Sequence, residues 1–296
     1  MKPGTPWLLG LDLGGTRLKA LSITPDGCEI TRITAPTSGD DWKSNVKSCV
    51  NRLIRSHGTP AAIGVAAPGL AALDQRAIAH MSGRLPGLEG LDWQQFLEFG
   101  KPVPVLNDAH AALLGEAWLG AAKGLKNVAL LTLGTGVGGA ILADGRLFRG
   151  HIGRAGHLGH ISIHSDGPPD IVHTPGSLED AVGNHTLPTR SGGKFHCTAD
   201  LVAAAKSGDA SATAIWQTTI RDLAAGIASL INILDPEAIV IGGGIAEAGD
   251  DLFQPLAREL DRVEWRPANH RVPILPATLA HWAGATGAAK YPNSEL

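Results

Sequence analysis

A chain of 296 residues has room for two domains, and at 44% hydrophobic and 18% charged residues it is too apolar to be disordered. Its 25 Lys and Arg against 28 Asp and Glu leave a net charge of −3, which removes the electrostatic case for binding nucleic acid or an anionic membrane. With aromatics at 4% and 38 glycines, the core must be built from Ala, Val, Ile and Leu, with glycine spent on turns and close approaches. In chain order, residues 7–13 read as a buried strand, Gly14-Gly15-Thr16 as a turn and residues 18–23 as a second strand. Pro25-Asp26-Gly27 turns the chain into a third strand at 29–34, so the chain opens with an antiparallel meander. Helical spacing of Trp42, Val46, Val50, Leu53 and Ile54 predicts a helix over 40–56 that stops at Gly58. A buried strand follows at 61–66, cut by Pro68-Gly69. Then come a short helix at 91–99, a strand at 103–106 ending on Asn107-Asp108, and an Ala-rich helix over 109–119.

The pattern then starts again: strand 127–133, a Gly134-Thr135-Gly136 turn, strand 138–142 and the turn Asp144-Gly145. Strand, Gly/Thr turn, strand and hairpin occur in both halves, which reads as an internal duplication of one α/β core, the alternative being two buried hairpins alike by chance. Residues 150–198 read as an irregular loop rich in His, Gly and Pro, of a length that points to function. A long apolar helix over 210–234, a strand at 238–241 followed directly by Gly242-Gly243-Gly244, a helix at 248–263, a strand at 272–275 and a final helix at 284–290 complete the chain. Cys28, Cys49 and Cys197 form no CxxC and suit a reducing compartment. No secretory or membrane-spanning run is recognised, so a cytoplasmic enzyme is expected.

Three glycine clusters each follow an apolar strand, where backbone N–H groups can approach a phosphate without a Cβ in the way. Thr16 and Thr135 add hydroxyl donors, and Asp12, just before the first cluster, could hold Mg²⁺ through water. Gly134-x-Gly136-x-x-Gly139 satisfies a dinucleotide fingerprint, but that motif must open a helix, and here residues 140–142 continue as a strand. A Walker loop fails too, because Pro188 stands where the first Gly before Gly193-Lys194 is required.

Leu11-Asp12-Leu13-Gly14-Gly15-Thr16 resembles the first phosphate motif of the sugar-kinase, actin and heat-shock ATPase superfamily. The run from Leu133 to Gly139 resembles its second phosphate motif, and Ile241-Gly242-Gly243-Gly244 its adenosine motif. Within the superfamily the chain is similar to the ROK family of sugar kinases and sugar-responsive repressors. Pro68-Gly69, Leu85-Pro86-Gly87, Asn107-Asp108-Ala109, Gly159-His160, Leu178-Glu179 and Leu234-Asp235-Pro236 fall in family order. The resemblance implies an α/β, two-domain actin-like ATPase (ribonuclease H-like) fold with mixed sheets and an ATP cleft between domains. The domains are drawn at 1–109 plus 284–296 and at 110–283. It implies ATP and Mg²⁺ as cofactors, with Asp12, Gly14, Gly15, Thr16, Gly134, Thr135, Gly136, Gly242, Gly243 and Gly244 binding the nucleotide and its ion. Asp108 corresponds to the catalytic base, and Gly69, Asn107, His157, His160 and Glu179 to the sugar pocket. A homodimer is implied as well. The residues alone leave Asp108 balanced between a general base at the end of a strand and a cap for the helix that follows.

The sequence also departs from the family. The usual Cys-x-Cys-Gly-x-x-Gly-Cys zinc motif falls on 170–177, where none of its cysteines is present and Ser177 stands in place of the last. A structural zinc needs four N or S ligands, so none is expected. His151, His157, His160, His164 and His173 crowd this segment and read first as polar surface or substrate contacts. His157 stands where the family has a Glu that accepts hydrogen bonds from sugar hydroxyls, and a neutral imidazole offers one donor and one acceptor instead. His110 replaces an Asn, and Arg17 a Lys. The expected function is an ATP-dependent kinase for a hexose-like sugar or related polyol, with an unusual acceptor favoured. The alternatives are a catalytically weak or inactive sugar-binding regulator, and an ATPase or acyl-phosphate kinase.

Overall fold

The structure is a computed structural model that describes residues 6–37, 41–81 and 85–293. Asp40, the expected start of the first helix, lies outside the described residues. In chain order the elements are β1 (Leu8–Leu13), β2 (Arg17–Ile23), β3 (Glu29–Pro36), α1 (Trp42–His57), β4 (Ala62–Ala67), β5 (Leu70–Ala71), β6 (Ile78–His80), α2 (Trp93–Leu97), β7 (Val105–Asn107) and α3 (Asp108–Leu119). They continue with β8 (Val128–Leu133), β9 (Val137–Ala143), β10 (Arg146–Leu147), α4 (Leu178–Val182), α5 (Leu187–Arg190), α6 (Thr198–Lys206), α7 (Ala210–Leu234), β11 (Ala238–Gly242), α8 (Asp250–Val263), β12 (Ile274–Pro276) and α9 (Ala283–Lys290).

The chain divides into two units. The first runs through Gly124 and adds Arg146–Ala155 and everything from Thr278 onward; the second is Leu125–Gly145 with Gly156–Ala277. A boundary at 109 would cut α3 off at its first turn. Instead α3 lies along α9, and Leu147 packs beside Ala66, Leu106 and Ala111, so small apolar residues hold these pieces to the first sheet.

In the first unit the sheet order is β3–β2–β1–β4–β7. β1 is antiparallel to β2 and parallel to β4, which is parallel to β7. Every residue of β1 and β4 is buried, which explains why both read as unbroken apolar runs. Trp7, Trp42 and Trp93 fill one face with Leu9, Leu11 and Val65. In the second unit β8 is antiparallel to β9 and parallel to β11, which is parallel to β12. The hairpin-then-parallel arrangement thus occurs twice, as the repeated sequence pattern predicts. Here α4, α6, α7 and α8 form the helical layer. Asp209 caps α7 by accepting a hydrogen bond from Ala212 N. Leu252, Leu256 and Leu260 make the buried stripe of α8. Pro255 has no N–H to offer the Asp251 carbonyl, and Trp216 Nε1 donates to it instead at 3.1 Å.

The stretch 150–198 is more ordered than its composition implies. It contains a 3₁₀ turn at Leu158–His160, α4 and α5, with α6 starting at its end. These helices are one or two turns long, too short to repeat an apolar period. Among the described residues no helix is long and apolar enough to cross a membrane.

Candidate functional site

Two groups of the expected residues form, one in each unit. In the first, the β1–β2 hairpin puts Asp12 opposite Lys19, and their side chains pair at 3.1 Å. Burial pushes the Asp12 carboxyl up, while Lys19 and, more weakly, His281 pull it back. The turn between the strands is pinned from several sides. Gly14 N donates to Arg17 O at 3.0 Å, Thr37 Oγ1 donates to Gly14 O at 2.6 Å, and Thr37 N donates to Thr16 O at 3.0 Å. Gly15 and Thr16 are left at the surface. Neither Lys19 nor Thr37 was among the expected residues. Lys19 could have been found by counting outward from the turn, since Leu13 pairs with Leu18 and Asp12 therefore with Lys19.

At the same carboxyl end of this sheet, two strands away from β1, Asn107 is the N-cap of α3. Its Oδ1 accepts hydrogen bonds from Ala109 N at 2.9 Å and His110 N at 3.3 Å, while Nδ2 donates to Gly69 O at 3.1 Å. Gly69, Asn107 and Asp108 are thereby held together. The cap role belongs to Asn107, and Asp108 is the first helical residue. Its Oδ1 accepts the N–H of its neighbour Ala109 at 2.9 Å, and solvent reaches the side chain. Surrounding protein strips away part of the carboxylate's hydration and the Asp12 charge opposes ionisation. Together they push the Asp108 pKa up to about 6. Because solvent still reaches the group, screening leaves only part of this interaction to act on stability. His110 is buried and takes a structural part: its Nε2 donates to Ala155 O at 2.9 Å. A cavity of about 590 Å³ elsewhere in this unit, lined by Ala61, Asp74, Arg76, Lys101 and Tyr291 among others, contains none of the expected residues.

In the second unit Gly134-Thr135-Gly136 closes the β8–β9 hairpin, with Gly134 N donating to Gly136 O at 2.9 Å. Val137–Ala143 is a strand, so no helix opens at Gly139 and the dinucleotide fingerprint is incidental. Glu179, in the first turn of α4, accepts a hydrogen bond from Val137 N at 2.9 Å, tying the expected sugar-pocket carboxylate to the glycine turn. The turn is also held by Asn184 N to Gly134 O at 3.0 Å and by His185, whose backbone N and Nδ1 both meet Thr135 O, at 2.9 and 2.8 Å. Asn184 and His185 are additions that no motif signalled. The turn bearing His157 and His160 packs on β9. Gly243, just after β11, has φ 87°, and a Cβ there would lie 2.2 Å from Leu133 O. The Gly242–Gly244 turn therefore rests on the end of β8, beside Gly134.

His160 and Glu179 are thus organised within one unit, and Asp12, Gly14–Thr16, Gly69, Asn107 and Asp108 within the other. Ser177 caps α4 by accepting from Asp180 N at 3.2 Å. The 170–177 stretch supplies no thiolate, and among the described residues no group of three or more His, Cys, Asp or Glu is placed to hold a metal ion. The residues present do not fit the zinc of the family motif.

The chain is 32% identical to the glucokinase of Halalkalibacterium halodurans, over 95% of this chain and 93% of that one. The crystal structure of a ROK hexokinase from Thermus thermophilus superposes with a TM-score of 0.85 at 30% identity, covering 96% of this chain and 97% of the other. A ROK family glucokinase from Streptomyces griseus, in complex with glucose and AMPPNP, gives a TM-score of 0.78 at 27% identity, covering 96% and 98%. The fold is that of these sugar kinases, the actin-like ATPase fold. With the ROK family model matching residues 8–294, essentially the whole described chain, the protein belongs to the ROK family.

Proposed function

We propose that this chain is an ATP:sugar phosphotransferase that moves the γ-phosphate onto a hydroxyl of a hexose-like sugar or related polyol, with Asp108 as general base. The observation that carries the reading is the division of labour at the start of α3. Asn107 takes the cap, and Asp108 is left with a solvent-facing carboxylate of pKa about 6. Such a group is ionised at neutral pH and basic enough to accept the hydroxyl proton as the oxygen attacks phosphorus.

The remaining roles follow from chemistry. Backbone N–H groups of Gly15, Thr16, Thr135 and Gly136 donate to the phosphates, with Thr16 and Thr135 adding hydroxyls and Gly14 and Gly134 closing the turns. Gly242–Gly244 accommodates the adenosine. Asp12 fits the Mg²⁺ that the family implies: it is one buried carboxylate whose Oδ2 is on Lys19, suited to an ion that keeps most of its water. When bound, that ion neutralises charge on the phosphates. Glu179, His160, Asn107 and Gly69 orient the sugar, and His157 sets the acceptor. Because His157 stands where the family motif has a Glu, the favoured substrate is a sugar or polyol other than glucose. A cytoplasmic homodimer belongs to the same reading, and sedimentation of the purified protein decides the oligomer.

The test is a panel of sugars and polyols with ATP and Mg²⁺, followed by coupled release of ADP. At least one member should turn over, and another member should exceed glucose. No ADP above background with any member makes the chain a binding regulator. Glucose outpacing every other member removes the unusual acceptor.

A further inference from the structure

Counting back from Ser177, Asp170 stands where the family motif places its first cysteine and Val172 where it places the second. The structure shows what fills the gap. The Asp170 side chain is 0% exposed, and its Oδ2 meets His160 Nδ1 at 2.8 Å. Its Oδ1 accepts hydrogen bonds from Val172 N and Thr174 N, both at 2.9 Å. Burial alone would raise this carboxyl. Hydrogen bonds from His160, Thr174, Val172 and Ser177 together outweigh it and hold the group below the usual carboxylate range. The ends of the loop are joined as well: Ile163 N donates to Gly176 O at 2.9 Å, Leu178 N to Ile161 O at 2.9 Å, and Ser162 Oγ to Pro175 O at 2.7 Å. A buried anion thus gathers donors from four positions, in the part of the sequence where the family gathers thiolates around a metal.

We propose that Asp170 is a positioning residue that replaces the metal hub: it closes the 162–177 loop and fixes the His160 imidazole with a proton on Nδ1, presenting Nε2 to the sugar as an acceptor. The second half of this statement rests on the reading of His160 as a sugar contact. The first half does not. A carboxylate offers only lone pairs, so Nδ1 must be the donor, and in the neutral ring Nε2 is then unprotonated. The side chain is 24% exposed, so the ring is not sealed from a ligand. The consequence for specificity is direct. Here His160 takes the hydrogen of a sugar hydroxyl, and a hydroxyl oriented the other way is rejected.

Asp170→Asn separates the two halves. The amide oxygen can still accept from Val172 and Thr174, so the loop stays closed. The amide N–H₂ now faces Nδ1 and forces the ring proton onto Nε2, turning acceptor into donor. Long-range ¹H–¹⁵N spectra at pH 8.5, with the His160 signals assigned by their loss in His160→Gln, should show the Nδ1–H tautomer in the wild type and Nε2–H in Asp170→Asn. In the ADP-release assay the same variant should raise KM for the sugar about tenfold or more, with kcat and the KM for ATP changed far less. Asp170→Ala, which also frees the loop, should lower Tm and kcat and raise KM for the sugar. The purified wild type should carry no stoichiometric zinc. An Nε2–H tautomer in the wild type, one zinc per chain, or an unchanged sugar KM in Asp170→Asn each overturn the proposal. A wild type that phosphorylates nothing defeats the kinase reading, and the tautomer measurement still decides the role of Asp170.

Discussion

Asp108 and its neighbour show how residue identity divides structural from chemical work. An Asn at 107 satisfies two backbone donors of α3 and one carbonyl of the Gly69 turn, so the Asp that follows need not serve the helix. Both residues are legible in the sequence as Asn-Asp after an apolar strand. Which of them caps the helix is not, because either side chain can do so and the choice depends on where the helix begins. A kinase with this base should lose kcat/KM as pH falls through about 6, tenfold per unit, as Asp108 takes up a proton. Asp108→Asn should lower kcat by about two to four orders of magnitude and leave the affinity for an ATP analogue intact. The same variant has an opposite effect on stability. The folded-state pKa lies above the ordinary value of 3.8, so the stabilising contribution is complete below that value and is lost as pH rises through about 6. Removing the charge beside Asp12 should therefore raise Tm at pH 8 and change it little at pH 3.5. Calorimetry at the two values checks the sign, and a Tm that falls at pH 8 rules out the repulsion.

Elements in this chain were legible in proportion to how local their causes are. The β1–β2 and β8–β9 hairpins, with their glycine turns, follow from apolar runs and turn residues. The 25-residue α7 follows from its period, and its last residue is 234 as the pattern predicts. The short α4 and α5, and α6 between Cys197 and Ser207, were not legible, since each is fixed by what it packs on. The final helix was visible as an element, and the family resemblance assigned it to the first domain, but how closely it lies on its neighbours was not legible. Seven of its eight residues are buried, in the sequence Ala-Gly-Ala-Thr-Gly-Ala-Ala before Lys290. Small side chains let α9 lie almost backbone to backbone on its neighbours: a Cβ on Gly287 would lie 1.8 Å from Ala111 O. Backbone of α3 cannot give way as a flexible side chain could. Gly287→Ala should therefore cost about 3 kcal/mol or more. Gly100→Ala, where nothing lies within 4 Å of the added carbon, should stay within about 0.5 kcal/mol of wild type. Urea midpoints measure both, and equal midpoints for the two variants would mean that α9 is not tightly seated.

At the level of the whole molecule, family order predicts two α/β units, but a boundary at 109 separates α3 from the helix it packs on. Chain order carries no information on this point, because α9 is the last helix in sequence and yet packs on β1, β2 and β4. The first unit is assembled from three separate pieces of chain, and the last of them begins at Thr278. That piece is anchored by Glu116, a carboxylate with 0% exposure on α3 that accepts hydrogen bonds from Thr278 N and Leu279 N at 3.1 and 2.8 Å. Beyond this anchor, Trp282, Ala285 and Ala289 complete the cluster around Leu8, Leu21 and Ile23. The second unit closes its own core with residues between Ala129 and Val272. Ending the chain at Ala277 should therefore unfold the first unit, since it exposes the apolar face of β1 and takes from the Glu116 carboxylate its hydrogen bonds from Thr278 and Leu279. The second unit should survive as a protease-resistant fragment of about residues 125–277, a range that follows from its limits. Limited proteolysis with mass spectrometry reads this out, alongside sugar turnover, which should vanish. A truncated chain as resistant as the full one and still active would show that the first sheet folds without its final helix.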